Sequence, residues 1–373
     1  MENIEYIIEK TENEGIMLLH IGNNKYYIGE SLSIIFNSFI KGIDIDAIVE
    51  NLNLVTNSNK FNRELVTTII NEKIEPIIKN HNKVVKSSVK KIFRILDPIK
   101  FESFFKKFTF LFIKPIFYSI LITTFLINLF FHFFFIKPDV TINKFQFPII
   151  LTGIVLIVLI HEIGHAIASF YYKITPKEIG FGLYFIFPAL YTDLTEAWKL
   201  KKDSRIVINI AGIYFQLIIN IFLIILLYTN FFNNHILYII ILSSQAICLF
   251  NLNPFFKFDG YWIYSDYFNI PNLRKQTYDL YKKIITNSNN SKKKSLFVYA
   301  FFYLLFIIYI IYRMVFFIFK QHRLIYKQIT NNDISNVTII NWALLIFSFL
   351  LIYIIVKRVK KIYKTYFYEN KIN

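Results

Sequence analysis

Residues 147–171 read FPIILTGIVLIVLIHEIGHAIASFY, an apolar run broken by one polar cluster, His161-Glu162-Ile163-Gly164-His165. As a helix the run is long enough to cross a bilayer core of about 30 Å. An acidic side chain at mid-membrane costs roughly 2.5–3.5 kcal/mol on insertion scales, and two histidines add to that. Residues four apart share a helical face, so His161 and His165 can reach one metal ion at about 2.0–2.1 Å. Glu162 lies one step round the helix, close enough to take a proton from water at such a site. The plain alternative is a polar cluster that only holds helices together. The ligand spacing favours a metal.

A second polar stretch supplies a third ligand. Residues 251–260 read NLNPFFKFDG and end another apolar segment. Catalytic zinc usually takes three protein ligands and leaves one position open. Asp259 is the natural third. Pro254 stops the helix and Gly260 permits a tight turn. Irregular backbone at membrane depth is tolerated only where it is buried or lines a wet cavity. At about 1.5 Å per residue, His161 lies about 21 Å beyond Phe147 and Asn251 about 24 Å beyond His235. Both segments run from outside to inside, so the two motifs arrive at similar depth near the cytoplasmic face.

The same residues resemble the site-2 protease family of intramembrane zinc metalloproteases, of the bacterial peptide-processing type. Its HExxH motif is often followed by alanine, here Ala166, and its N-x-x-P-x-x-x-x-D-G pattern is matched by Asn251, Pro254, Asp259 and Gly260. The resemblance covers about residues 147–265. It implies that His161, His165 and Asp259 bind Zn²⁺, that Glu162 is the general base and later the proton donor, and that Asn251 holds substrate or oxyanion. A membrane-associated β-hairpin often follows the first motif in the family. Here Ile179–Phe187 alternates with glycines and precedes Pro188 and Tyr191-Thr192-Asp193-Leu194-Thr195. A strand there would take an extended substrate by edge addition; a structural re-entrant loop is the other reading. The family's G-P-x-x-N becomes Gly212-Ile213-Tyr214-Phe215-Gln216. Gln216 thus stands at a substrate-binding position, with proline lost and Gln in place of Asn.

Outward from the motifs, the 373-residue chain is 55% hydrophobic with 42 Phe and a mean hydropathy of +0.45. Runs with no polar face read as membrane spans. Six are expected: Pro115–Ile136, Phe147–Tyr171, Ile206–Phe231, Ile236–Pro254, Leu296–Phe319 and Val337–Val356. The net charge of +17 sits mostly in alternate loops, at Lys199–Arg205, Lys282–Lys294 and Lys357–Lys361. That pattern points to cytoplasmic loops and excludes a nucleic-acid partner. Both termini are then cytoplasmic, in the cell membrane, although Lys320, Arg323 and Lys327 fall on the expected outside. Met1–Lys10 is acidic and does not read as a signal peptide. Cys248 is the single cysteine, so there is no disulfide framework.

Residues 1–80 look different. Asn3–Ile8, Gly15–Ile21 and Lys25–Ile28 read as strands, with Asn23 and Asn24 at a turn. Ser31–Ile40 reads as a helix closed by Gly42. A second, capped by Asp44 or Asp46, runs to about Leu52, and Asn62–Lys79 gives a third. The order suggests a small cytoplasmic winged-helix-like α+β domain. It resembles the RiPP recognition elements that bind leader peptides of ribosomally made products. Residues 81–109 form a basic linker, either a helix on the anionic inner leaflet or a solvated connector. Residues 110–358 are the transmembrane metalloprotease domain and 359–373 a cytoplasmic tail.

The expected fold is therefore an α-helical polytopic membrane protein of about six transmembrane helices with that N-terminal domain. The expected activity is zinc-dependent hydrolysis of a peptide bond near the cytoplasmic membrane face, in a peptide or membrane-protein substrate, with maturation of a ribosomally made modified peptide as the specific form. A reading from another class is a peptide exporter or immunity protein with a structural metal, which would need a fourth protein ligand. Asp193 and Asp203 are carboxylates near the site but share a loop with Lys and Arg, so they read as solvated. His20, His81, His132, His235 and His322 lack ligand spacing. The sequence specifies no oligomeric state.

Overall fold

The computed structural model describes residues 6–12, 14–21, 24–79, 89–135, 142–184, 187–230, 232–285, 294–330 and parts of 346–360. The chain divides into two compact units, Met1–Ile263 and Tyr264–Asn373.

The first unit begins with β1 (Tyr6–Lys10), β2 (Ile16–Ile21) and β3 (Asn24–Gly29), an antiparallel sheet in that order. Its register pairs Ile8 with Leu19 and Leu19 with Tyr26. Gly15, at φ 68°, makes the first turn, a conformation that costs other residues. Then come α1 (Glu30–Ile40) and α2 (Ile45–Thr56). Asp44 caps α2 by accepting the Asp46 N–H at 3.0 Å, and Gly42 at φ 72° closes α1. The expected third helix starts where predicted, with Asn62 accepting from Leu65 N–H at 2.8 Å. It is interrupted: α3 (Arg63–Ile69) passes through a π-turn, Ile70–Ile74, into α4 (Glu75–Lys79). Leu19, Ile21, Ile35, Phe36, Ile48, Leu52, Val66 and Ile74 form the core. Residues 3–5 of the expected first strand, and the turn residue Asn23, lie outside the described residues.

Of the basic stretch that follows, residues 81–88 lie outside the described residues, and the part from Val89 onward opens with a strand. Val89–Leu96 is β4, and it pairs antiparallel with β5 (Ile179–Tyr184), which pairs with β6 (Phe187–Thr192). Val89 faces Tyr184, Leu96 faces Ile179, and Phe93 stacks on Phe181 at 5.2 Å between ring centroids. A Cβ on Gly182 would lie 2.6 Å from the Lys90 carbonyl oxygen, so glycine lets β4 close on the hairpin. The chain then runs through α5 (Glu102–Lys106) and buries Phe105 and Phe112 in the membrane-domain core.

Among the described residues, five helices are long and apolar enough to cross a membrane. Four are in this unit: α6 (Lys114–Phe134), α7 (Gln146–Tyr171), α8 (Lys202–Thr229) and α9 (Asn234–Asn251). Small residues bring α7 and α8 together: a Cβ on Gly164 would sit 2.6 Å from the Ala211 carbonyl oxygen. After a loop, α10 (Asp259–Tyr267) follows. The N-terminal sheet touches the segment between β6 and α8. Tyr27 donates to the Trp198 carbonyl at 2.5 Å, and Glu12 N–H donates to the Lys199 carbonyl at 2.9 Å.

In the second unit, α11 (Leu273–Ile285) precedes α12 (Lys294–Thr330), which holds the fifth apolar stretch. Tyr281 donates to the Ala300 carbonyl at 2.5 Å and Tyr299 stacks on Tyr303. The sixth expected span, Val337–Val356, falls mostly outside the described residues, so the structure gives five.

Candidate metal centre

On α7, His161, Gly164, His165 and Ala168 recur every three or four residues and make the face that meets α8. Both imidazoles are buried, at 3% exposure. Asp259 reaches them from the far end of α9. Leu252 caps that helix, and Asn253 Oδ1 accepts from Phe255 N–H at 2.8 Å to turn the chain. A Cβ on Gly260 would lie 2.1 Å from the Leu252 carbonyl oxygen, so this turn admits no larger residue. Asp259 then opens α10 with its carboxylate facing the histidines. Among the described residues, His161, His165 and Asp259 are the set of possible ligands that converges, all within 4.8 Å of one another.

The hydrogen bonds fix the tautomers. His165 Nδ1 lies 2.7 Å from the Ile208 carbonyl oxygen, so it carries the proton. His161 Nδ1 lies 3.1 Å from Gln216 Oε1. The Gln216 amide orientation is set in turn, because Nε2 donates to the Ser244 carbonyl at 3.0 Å. Both Nε2 atoms therefore present lone pairs inward, 3.2 Å apart. The carboxylate lies 3.1 Å from one and 3.5 Å from the other, and Asp259 Oδ2 is buried without a hydrogen bond. Three acceptors packed together without a donor repel one another; a cation between them removes the repulsion. Bonds of about 2.0–2.1 Å to a tetrahedral zinc ion imply ligand–ligand edges of about 3.3–3.4 Å, close to these separations. Gly212 of α8 faces the same point: a Cβ there would lie 2.4 Å and 2.5 Å from the two Nε2 atoms. The residues fit a zinc ion.

Glu162 is buried beside the ligands. Thr192, at the end of β6, donates to Glu162 Oε2 at 2.7 Å and contacts its carbonyl oxygen at 3.0 Å. Sequence reading placed Thr192 near the hairpin but gave it no role, because no local pattern links residue 192 to residue 162. Asn251 Nδ2 is 3.5 Å from His161 Nε2, so the two motifs meet as the depth argument expects.

Gln216, the expected substrate-binding residue, bonds His161. It is fully buried, and both ends of its amide are occupied, by His161 and by Ser244. Asp193 is not in the converging set. It accepts from Lys91 at 2.7 Å and from Thr195, while Lys91 also reaches Glu178 at 2.6 Å. Burial works against ionisation of Asp193, but the bonds from Lys91 and Thr195 outweigh it and hold its carboxyl below the usual range. Asp203 is exposed in the first turn of α8. His132 bonds Gln245 at 3.0 Å, His20 lies 3.0 Å from Glu9, and His81 is outside the described residues.

No protein-family model matches this chain, and no solved structure matches it. It is 28% identical over 117 residues to the "Putative peptide zinc metalloprotease protein YydH" of Bacillus subtilis (strain 168). The match spans 31% of this chain and 46% of that protein, so it covers less than half of the relative's length. The likeness supports a metalloprotease at a coarse level.

Proposed function

We propose that the chain is a membrane-embedded zinc metalloendopeptidase that cuts a peptide bond near the cytoplasmic membrane face. The reading rests above all on the inward lone pairs of His161 and His165 meeting the Asp259 carboxylate. Among the described residues no fourth His, Cys, Asp or Glu joins them. A structural zinc site is usually closed by four protein ligands, whereas a catalytic site keeps a position open.

When bound there, zinc supplies Lewis acidity toward water and toward the scissile carbonyl. Glu162 accepts the proton of the attacking water and returns it to the leaving amine. Thr192 holds the Glu162 carboxylate in place through its hydroxyl. Asn251 offers an amide N–H beside His161 to orient the substrate carbonyl. The substrate binds extended, since a helix hides its carbonyls in its own hydrogen bonds. It adds as a strand beside β6, whose end carries Thr192 to the base.

The specific form of the proposal is maturation of a ribosomally made peptide whose leader binds residues 1–80. The relative's printed name, a peptide zinc metalloprotease, is in keeping with it. Glu162→Gln tests the core of the reading. The purified variant is expected to keep its zinc, because Glu162 is not a ligand, and to lose about 10²–10⁴ in cleavage rate. Near-normal turnover by that variant ends the assignment of the base.

A further inference from the structure

Gln216 is not one of the converging ligands, yet it is a buried amide that bonds two other membrane helices. It stands on α8 at 0% exposure. Its Oε1 receives the Nδ1 proton of His161 on α7 at 3.1 Å. Its Nε2 donates to the Ser244 carbonyl on α9 at 3.0 Å and to Ser244 Oγ at 3.1 Å. We infer that Gln216 is the positioning residue of the metal centre, holding His161 in the tautomer that aims Nε2 at the ion and holding α9 in register with it.

Three physical points support this. First, an amide must accept at one end and donate at the other, and the Ser244 carbonyl can only accept. A flipped Gln216 amide would set its oxygen against the Ser244 carbonyl and lose that bond, so the orientation with Oε1 toward His161 is favoured and His161 Nδ1 is the donor. Second, the ring partner of a ligating histidine fixes its orientation and raises its basicity, and losing such a partner typically weakens metal binding about 10–100-fold. Third, α9 continues through the turn at Asn253 to Asp259, so tying Ser244 to His161 also sets where the third ligand arrives. His165 differs: its Nδ1 partner is the Ile208 main-chain carbonyl, which no side-chain substitution removes. The weak member of the ligand pair is thus His161.

The inference rests on the metal-site reading but not on peptide cleavage, and metal affinity tests it directly. Zn²⁺ is titrated against a chromogenic chelator with the full chain in detergent. Gln216→Met matches the volume but offers no acceptor, and Gln216→Asn keeps the amide but is one methylene too short to span both partners. Each is expected to weaken Zn²⁺ binding about 10–100-fold. Gln216→Glu keeps an acceptor for His161 at the same reach but loses the donor to Ser244, and is expected to weaken Zn²⁺ binding less than Gln216→Asn does. Asn220→Leu removes a buried amide one turn along α8 that bonds Asn128 and does not touch His161. It is expected to leave Zn²⁺ affinity unchanged, which a mere helix-packing effect would not. Should Gln216→Met fail to insert, Gln216→Asn carries the comparison. Unchanged affinity in Gln216→Asn, a Gln216→Glu as weak as Gln216→Asn, or an equal loss in Asn220→Leu each overturns the inference. Tight zinc binding with no peptide cleavage by the unaltered chain would instead sink the protease reading and leave this inference standing. No zinc binding at all would sink both.

Discussion

At the scale of single residues, the metal centre depends on side chains that are absent as much as on those present. Gly212 leaves the space in which the two Nε2 atoms converge. Gly212→Ala would push a methyl group into that point, and loss of stoichiometric zinc is the expected result, read by metal analysis of the purified protein. The same measurement separates the carboxylates. Asp259→Ala is expected to lose zinc, whereas Asp193→Ala, bonded to Lys91 and Thr195 instead, is expected to retain it; the opposite ranking would mean the wrong spans had been paired. Thr192 makes a finer case. Hydrogen bonds to charged groups contribute about 1.5–3 kcal/mol, so Thr192→Val is expected to slow cleavage by about 10-fold or more with zinc retained. Thr192→Ser keeps the hydroxyl and should restore most of the rate.

At the scale of elements, β4 turns a hairpin into a three-stranded sheet, and Lys91 fastens it. Lys91 bonds both Glu178, just before β5, and Asp193, just after β6. Its partners hold the ammonium above its usual range despite burial. The two carboxylates are depressed: Glu178 chiefly by the bond from Lys91, and Asp193 by Lys91 and Thr195 against the effect of burial. A carboxylate whose folded pKa is depressed stabilises fully above its unfolded value of about 4 and loses that contribution as pH falls through the folded value. A lysine raised in the fold contributes below its unfolded value of about 10.4 and loses that only at higher pH. The clamp therefore holds from about pH 5 to 10. The protection of the β4 amides relative to their intrinsic exchange rates should fall below about pH 4. Lys91→Ala should cost about 1 kcal/mol, since the lysine is half exposed and solvent screens it. Exchange in β4 that is insensitive to both changes would remove Lys91 from this role.

At the scale of the whole molecule, residues 6–79 dock on the segment that joins β6 to α8. Tyr27, Glu12 and Glu9 meet Trp198, Lys199 and Lys201 there. Trp198 lies 6.2 Å from Trp262 between ring centroids, and Trp262 follows Asp259 on α10. A domain that binds a leader at this place tethers the substrate at an effective concentration of roughly millimolar for a short flexible link. A chain beginning at Lys83 should then show a raised KM for the natural substrate and keep its zinc, since every ligand lies beyond residue 160. The lost contacts should also lower its melting temperature. An unchanged KM would leave the domain a folding role only.

The sequence alone determined what depends on spacing along one segment. His161, Glu162 and His165 are set by the helical repeat, the break after α9 by Pro254 and Gly260, the helix starts near Asp44 and Asn62 by side-chain chemistry, and the apolar helices by composition. It even paired the two motifs, because helical rise converts residue count into depth. Only the tertiary structure decided the pairings between distant segments. It gave β4 to β5 across some ninety residues, where a basic stretch with alternating apolar residues looked like a linker. It gave Thr192 to Glu162, and it made Gln216 a buried bridge between His161 and Ser244. These depend on which helix faces meet and how closely. That is set by small residues such as Gly164, Gly182 and Gly212, whose importance lies in the neighbour that fills their space, and a neighbour far along the chain leaves no mark in local sequence.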